Sequence, residues 1–185
     1  MPDESDLKFV QQLSAAAQSR KLRALLIGGH AVNLHGVSRF TEDFDFLIDR
    51  ATVASWRELL RSLGFESFRD AATFEQFSRE GEGPKRLDLM LVNSGTFEKL
   101  FSKALPLPEP SESMRIVCAE HLVALKLHVL KQDLEHRRLR DFLDVVELIK
   151  QNKLDLKGAE MKEVFDKFGT PELARKVKLY CEGEV

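Results

Sequence analysis

The sequence predicts an α+β fold, with strands and helices mixed over residues 1–104, a Pro-rich connection at 105–113, and a mainly helical part at 114–185. Three observations carry that prediction. Asp43 and Asp45 alternate with Phe44 and Phe46 ahead of Leu47-Ile48, and Lys85–Val92 is largely apolar on both faces with Asp88 as its one acid, the signatures of strands. The apolar run Leu25-Leu26-Ile27 ends in Gly28-Gly29, as a strand does when the backbone turns tightly behind it. From Ala119 onward apolar residues return at spacings of three and four, the period of an amphipathic helix.

In chain order, Val10, Leu13 and Ala17, with Leu7 before them, form the apolar stripe of a helix over 5–18, with Ser5 as its cap. A strand at 25–27, a compact helical segment at 30–34 closed by Gly36, and a strand at 43–48 follow. Thr52 or Asp49 caps a helix that carries Val53, Trp56, Leu59, Leu60 and Leu63 on one side and ends at Gly64, a residue that tolerates the left-handed conformation of a helix end. A strand is expected over 73–79, a turn at Gly81-Glu-Gly-Pro84, and a central strand over 85–92, whose Leu87, Leu89 and Leu91 face one way. Pro106, Pro108 and Pro110 interrupt regular structure. Beyond them come a short strand at 114–118 and helices at 119–133, 134–151, 157–168 and 171–181, the last capped by Thr170 with Pro171 in its first turn.

Composition excludes several classes. The net charge is −2, so no global basicity points to nucleic acid; residues 121–180 hold 13 Lys/Arg against 10 Asp/Glu, a weak local bias. Cys118 and Cys181 form no C-x-x-C pair and suggest neither a zinc site nor a disulfide framework. The acidic N-terminus is unlike a signal peptide and no apolar run spans a bilayer, so a cytoplasmic protein with no membrane partner is expected. No G-x-G-x-x-G follows Ile27, which argues against a dinucleotide-binding oxidoreductase.

The chemistry is concentrated between residues 26 and 48. On an extended backbone Asp43 and Asp45 point to one face while Phe44 and Phe46 point to the other. Two carboxylates side by side repel unless a cation lies between them, and an all-oxygen pair suits a hard ion such as Mg2+. Asp88 is the one acid inside an otherwise apolar strand, a costly placement unless it is ion-paired, with Arg39 or Arg86 for example, or metal-bound. His30 and His35, five apart, do not share a helix face and read as packing or hydrogen-bonding residues.

Gly28-Gly29 followed by Arg39-x-Thr41-x-Asp43-x-Asp45 resembles the active-site signature of the polymerase-beta-like nucleotidyltransferase superfamily, and is most similar to its small prokaryotic branch, the AbiEii-type toxin nucleotidyltransferases. Glu120-His-Leu-Val-Ala-Leu-Lys126 and Arg137-Arg-Leu-Arg140-Asp141-Phe-Leu-Asp144 resemble two later motifs of the same branch, so the resemblance covers residues 26 to about 150. It implies a small mixed β-sheet nucleotidyltransferase core packed with helices, with a C-terminal helical part completing the site. It also implies metal-dependent transfer of a nucleoside monophosphate from a nucleoside triphosphate to an acceptor hydroxyl. Asp43, Asp45 and Asp88 would be catalytic and hold Mg2+ (or Mn2+); Gly28, Gly29, Arg39, Thr41, Lys126 and Asp141 would bind the nucleotide. RNA of transfer-RNA type is the implied acceptor, and a cognate antitoxin the implied partner. Two alternatives share the short motif: an antibiotic-type small-molecule nucleotidyltransferase, and a non-catalytic nucleotide-binding regulatory protein of the same fold. One departure matters: where many superfamily members carry Gly-Ser, Gly28-Gly29 offers no hydroxyl, leaving phosphate contact to backbone N–H groups.

Overall fold

The computed structural model describes residues 4–81, 86–108, 111–132 and 135–183, apart from the side chains at 4, 5, 7 and 135–138. The expected cap Ser5, the apolar Leu7, all but Gly81 of the turn at 81–84, Pro110, and the side chains of Arg137 and Arg138 therefore lie outside the described residues. The elements run α1 (Glu4–Ser19), β1 (Ala24–Ile27), α2 (Gly28–Leu34), β2 (Phe44–Asp49), a single 3-10 turn (Arg50–Thr52), α3 (Val53–Ser62), β3 (Glu66–Asp70), β4 (Phe74–Ser78), β5 (Arg86–Val92), α4 (Ser94–Ser102), β6 (Leu105–Pro106), β7 (Met114–Ile116), α5 (Ala119–Lys131), α6 (Glu135–Gln151), α7 (Ala159–Phe168) and α8 (Pro171–Glu182). They form two compact units, Met1–Asn33 with Arg39–Val117, and Leu34–Ser38 with Cys118–Val185.

The first unit is built on a seven-stranded mixed sheet in the order β3-β4-β5-β2-β1-β7-β6. The pairs β2–β5 and β1–β7 are parallel and the others antiparallel. The centre of the sheet is apolar because its strands are: all four residues of β1 are buried, as are Phe46, Leu47 and Ile48 of β2. One face carries Phe44, Phe46, Leu87 and Leu89, all essentially inaccessible. Phe9 of α1 packs on it, with its ring centre 5.0 Å from that of Phe44 and 5.9 Å from that of Phe65. Each such side chain stabilises the fold by about 1.5–3 kcal/mol through burial. His30 joins this layer, its ring stacked on Phe44 at 3.9 Å with 9° between planes.

Asp49, not Thr52, supplies a capping oxygen after β2; it accepts from the Ala51 N–H at 3.0 Å and caps the 3-10 turn ahead of α3. Gly64 does adopt positive φ (83°) where the chain leaves α3. Besides β6, β3 and α4 escaped the sequence reading. β3 (Glu-Ser-Phe-Arg-Asp) is an exposed edge strand, so no buried side chain imposes a period on it. α4 contains Gly95 and anchors through only Phe97 and Phe101, although Asn93 caps it by accepting from the Thr96 N–H at 2.9 Å. The Pro-rich stretch, expected to lack regular structure, contributes the two-residue edge strand β6, where Pro106 sits opposite Arg115.

The second unit is helical. Leu122, Val123 and Leu127 of α5 are buried with Val145, Val146, Leu148 and Ile149 of α6 and Met161 of α7. Phe142 meets Tyr180 of α8 edge-on at 5.1 Å. Asn152, just past α6, donates from Nδ2 to the carbonyl of His35 at 3.2 Å and ties the short segment 34–38 to these helices. Thr170 caps α8 through a bond from the Leu173 N–H at 3.2 Å. Among the described residues no helix is long and apolar enough to cross a membrane.

Candidate active site

Strand register assembles the acids. β2 and β5 pair so that Asp45 and Asp88 are direct partners. β1 places Ile27 opposite Asp45, and β4 places Gln76 opposite Asp88. A row thus crosses four neighbouring strands: Gln76, Asp88, Asp45, Ile27. Direct partners project to the same side of a sheet, so the two half-buried carboxylates lie side by side on the face opposite Phe44 and Phe46. At the strand spacing of about 4.8 Å, two like charges repel by about 3 kcal/mol at an effective dielectric of about 20. Gln76 relieves part of this: its Nε2 donates to Asp88 Oδ2 at 2.7 Å.

The glycine pair is fitted to the same acids. Gly28 holds φ at 64°, and a Cβ there would fall 1.9 Å from Asp45 Oδ2. A Cβ on Gly29 would fall 2.4 Å from Thr41 Oγ1. Gly28 therefore lets the backbone close over the Asp45 carboxylate, and Gly29 makes room for the Thr41 hydroxyl. The connection between them is pinned by the Arg39 N–H, which donates to Asn33 Oδ1 of α2 at 2.9 Å. Glycines and Arg-x-Thr-x-Asp-x-Asp segment thus form one packed structure around Asp45.

Of the residues expected to act, Gly28, Gly29, Thr41, Asp45 and Asp88 are brought together. Asp43 is half-buried and lies one residue before β2. Among the described residues no group of three His, Cys, Asp or Glu side chains is gathered closely enough to hold an ion. The register pair Asp45–Asp88 does supply an oxygen-only donor set on one face, which fits Mg2+ or Mn2+ and not a softer metal. Gln76 was missed by sequence reasoning; its place in a strand was legible, but its pairing with Asp88 depends on register.

Lys126 and Asp141 belong to the helical unit. Lys126 is buried, and its Nζ lies 2.9 Å from Asp141 Oδ1 and 2.6 Å from Asp144 Oδ2. The motif on α6 therefore works as a two-carboxylate grip on the α5 ammonium. Asp144, which the sequence reading left without a role, is as close to Lys126 as Asp141 is.

The family described as nucleotidyl transferase AbiEii toxin, type IV TA system, matches residues 9–180. No curated protein sequence matches the chain. Among solved structures, the antibiotic-resistance factor ANT(2'')-Ia in solution is similar over 99% of both chains, with 13% identity and a TM-score of 0.61. The lincosamide antibiotic adenylyltransferase LnuA, with lincomycin bound, is similar over 79% of this chain and 98% of its own, with 15% identity and a TM-score of 0.56. At these identities the two likenesses speak for the shared fold.

Proposed function

The chain belongs to the AbiEii family of nucleotidyltransferase toxins, and from that premise we propose that this nucleotidyltransferase uses Mg2+ or Mn2+ to move a nucleoside monophosphate from a nucleoside triphosphate onto an RNA hydroxyl, as the toxin of a toxin–antitoxin pair. The observation that carries the reading is the pairing of Asp45 with Asp88 in register, on the sheet face where Gly28 closes on Asp45. A sheet that served only to bind would gain nothing from two adjacent, mutually repelling acids.

In this reading Asp45 and Asp88, with Asp43 added on the resemblance alone, would hold the metal, which when bound would neutralise charge on the phosphates and on the reacting oxygens. The backbone at Gly28-Gly29, with Arg39 and Thr41, holds the triphosphate in place. Asp88 receives the proton of the acceptor hydroxyl, and Gln76 keeps its carboxylate oriented while it does so. The acceptor oxygen forms its bond to the α-phosphorus as the bond to the β-phosphate bridging oxygen breaks, and pyrophosphate leaves with that electron pair. Positioning and charge neutralisation supply most of the acceleration, and no covalent enzyme intermediate is required. Lys126 is assigned to the outer phosphates and Asp141 to orienting it, on the resemblance of the helical motifs.

The test is direct. Wild-type protein with each of the four α-labelled triphosphates, Mg2+ and pooled small RNA should label RNA, and Asp88→Asn should stop labelling with little loss of triphosphate affinity. Label on an aminoglycoside-like molecule or on protein, with RNA bare, would overturn the acceptor; label on no acceptor would overturn the enzymatic reading.

A further inference from the structure

The polar row does not stop at Gln76. On the edge strand β3, Arg69 is the register partner of Gln76, after a shift in register between Ser67 and Arg69. Its guanidinium carbon lies 5.0 Å from the centre of the Phe74 ring. Phe74 and Gln76 are two apart on β4 and share a face, so the contact independently places Arg69 on the side of Asp88 and Asp45. Moving outward from Asp88, the face presents an amide, a half-buried aromatic ring and an exposed guanidinium. Arg86, exposed and two residues before Asp88, adds a second cation to this face opposite Ser78.

Glu66, opposite Ser78, is on the same face and exposed. Asp70 and Glu75 pair with each other on the opposite face, where Arg57 holds both, with Nη2 2.8 Å from Asp70 Oδ2 and Nε 2.7 Å from Glu75 Oε2. Arg69 thus stands clear of that network, with its charge available to solvent.

We infer that Arg69, Phe74 and Gln76 form the acceptor lane of the site, and that it takes a single-stranded RNA end. The inference deepens the proposed nucleotidyl transfer and rests on it for the identity of Asp88 as the acceptor-side acid. Arg69 stands two strands, roughly 10 Å, from Asp88. That separation leaves room for a reacting hydroxyl at Asp88 with an adjoining phosphate at the guanidinium. A guanidinium offers phosphate a bidentate fork, and its plane, backed by the Phe74 ring it lies over, offers a base a stacking surface that does not depend on sequence. Arg86 shares its row with Glu66, which leaves Arg69 as the cation of the lane; it would repel a polycationic acceptor such as an aminoglycoside and attract a phosphodiester chain. Gln76 links lane and chemistry by fixing the Asp88 carboxylate.

The experiment measures RNA binding apart from transfer. Fluorescence anisotropy of a fluorescein-labelled single-stranded RNA is titrated with the full chain over a series of KCl concentrations, and triphosphate binding is followed by calorimetry. Arg69→Gln should weaken RNA binding about 3–10-fold and reduce the slope of log affinity against log salt by about 0.7, the loss of one phosphate contact. Phe74→Leu should weaken binding as well, while Arg61→Gln, an exposed arginine on α3, should not. Triphosphate affinity should be unchanged in all three. RNA affinity and salt slope unaltered by Arg69→Gln, or wild type without affinity for RNA, would overturn the lane. RNA binding through Arg69 with no label transferred to RNA would keep the lane and overturn the transfer reading instead.

Discussion

The Gly28 backbone lies so close to Asp45 that a side-chain carbon at position 28 would meet the carboxylate oxygen at 1.9 Å. Gly28→Ala therefore cannot be absorbed: its φ of 64° costs an L-residue about 1 kcal/mol, and the new methyl must push Asp45 aside. Transfer should fall by about 100-fold or more, the cost expected of a displacement of about 1 Å in a positioned group. The fold should survive, as thermal melting will show. Near-normal turnover in Gly28→Ala would mean that the Asp45 position has no part in the chemistry.

The carboxylate row should reveal itself thermodynamically. Mg2+ or Mn2+ binding to the folded protein alone raises stability, by about 2.7 kcal/mol at a hundredfold excess over Kd. Calorimetric melting of wild type should shift upward with metal, and Asp43→Asn combined with Asp45→Asn should remove the shift. A double variant that responds fully would leave these acids as ordinary surface groups.

On the opposite face, Arg57 neutralises Glu75, which is 1% exposed. The Glu75 hydrogen bond, ahead of the cost of burial, raises the Arg57 pKa. Arg57→Met would strand a buried carboxylate. Because Arg57 is itself a third exposed, the loss should be about 2–3 kcal/mol, below that of a fully buried pair. Glu75→Gln combined with Arg57→Met should recover part of it in denaturant melts. Equal destabilisation of the single and double variants would show that packing, not charge, is what Arg57 provides.

Lys126, gripped by Asp141 and Asp144, invites a paired measurement. Lys126→Ala should destabilise the protein by about 3 kcal/mol, since buried Asp144 and half-buried Asp141 both lose the ammonium that holds them. At a temperature where the variant remains folded, it should lose more affinity for a triphosphate than for a monophosphate. Equal loss for both nucleotides in calorimetry would confine Lys126 to holding α5 against α6.

Burial pushes the Cys118 thiol up to about 11 from an ordinary value of 9.0. Its folded pKa is raised, so the neutral thiol stabilises the fold fully below the unfolded value, and that contribution is lost as pH rises from about 9 through 11. Alkylation needs the thiolate, so Cys118 should react with iodoacetamide far more slowly than a free thiol at pH 8, and at a normal rate in denaturant. Fast native labelling, read by peptide mass mapping, would contradict its burial.

Residue spacing and composition specify local features. The alternation at 43–48 and 85–92 fixed which residues share a strand face, the helical period fixed the four C-terminal helices, and Gly28-Gly29 marked a tight turn. The order of glycines, Arg39, Thr41, Asp43 and Asp45 sufficed to identify the family. Tertiary structure alone decided the register, because pairing depends on contacts between strands distant in the chain, and a one-residue slip would send every side chain to the other face. Hence Gln76 as the partner of Asp88, and Arg69 as the partner of Gln76, could not be read from spacing. The exposed strand β3 was illegible for a related reason: its residues are specified by the ladder of β4, not by burial of their own side chains. Likewise the double grip on Lys126 arises from packing α5 against α6, which brings Asp144 as close as Asp141, although an ion pair within a single helix turn would have explained Asp141 equally well from sequence.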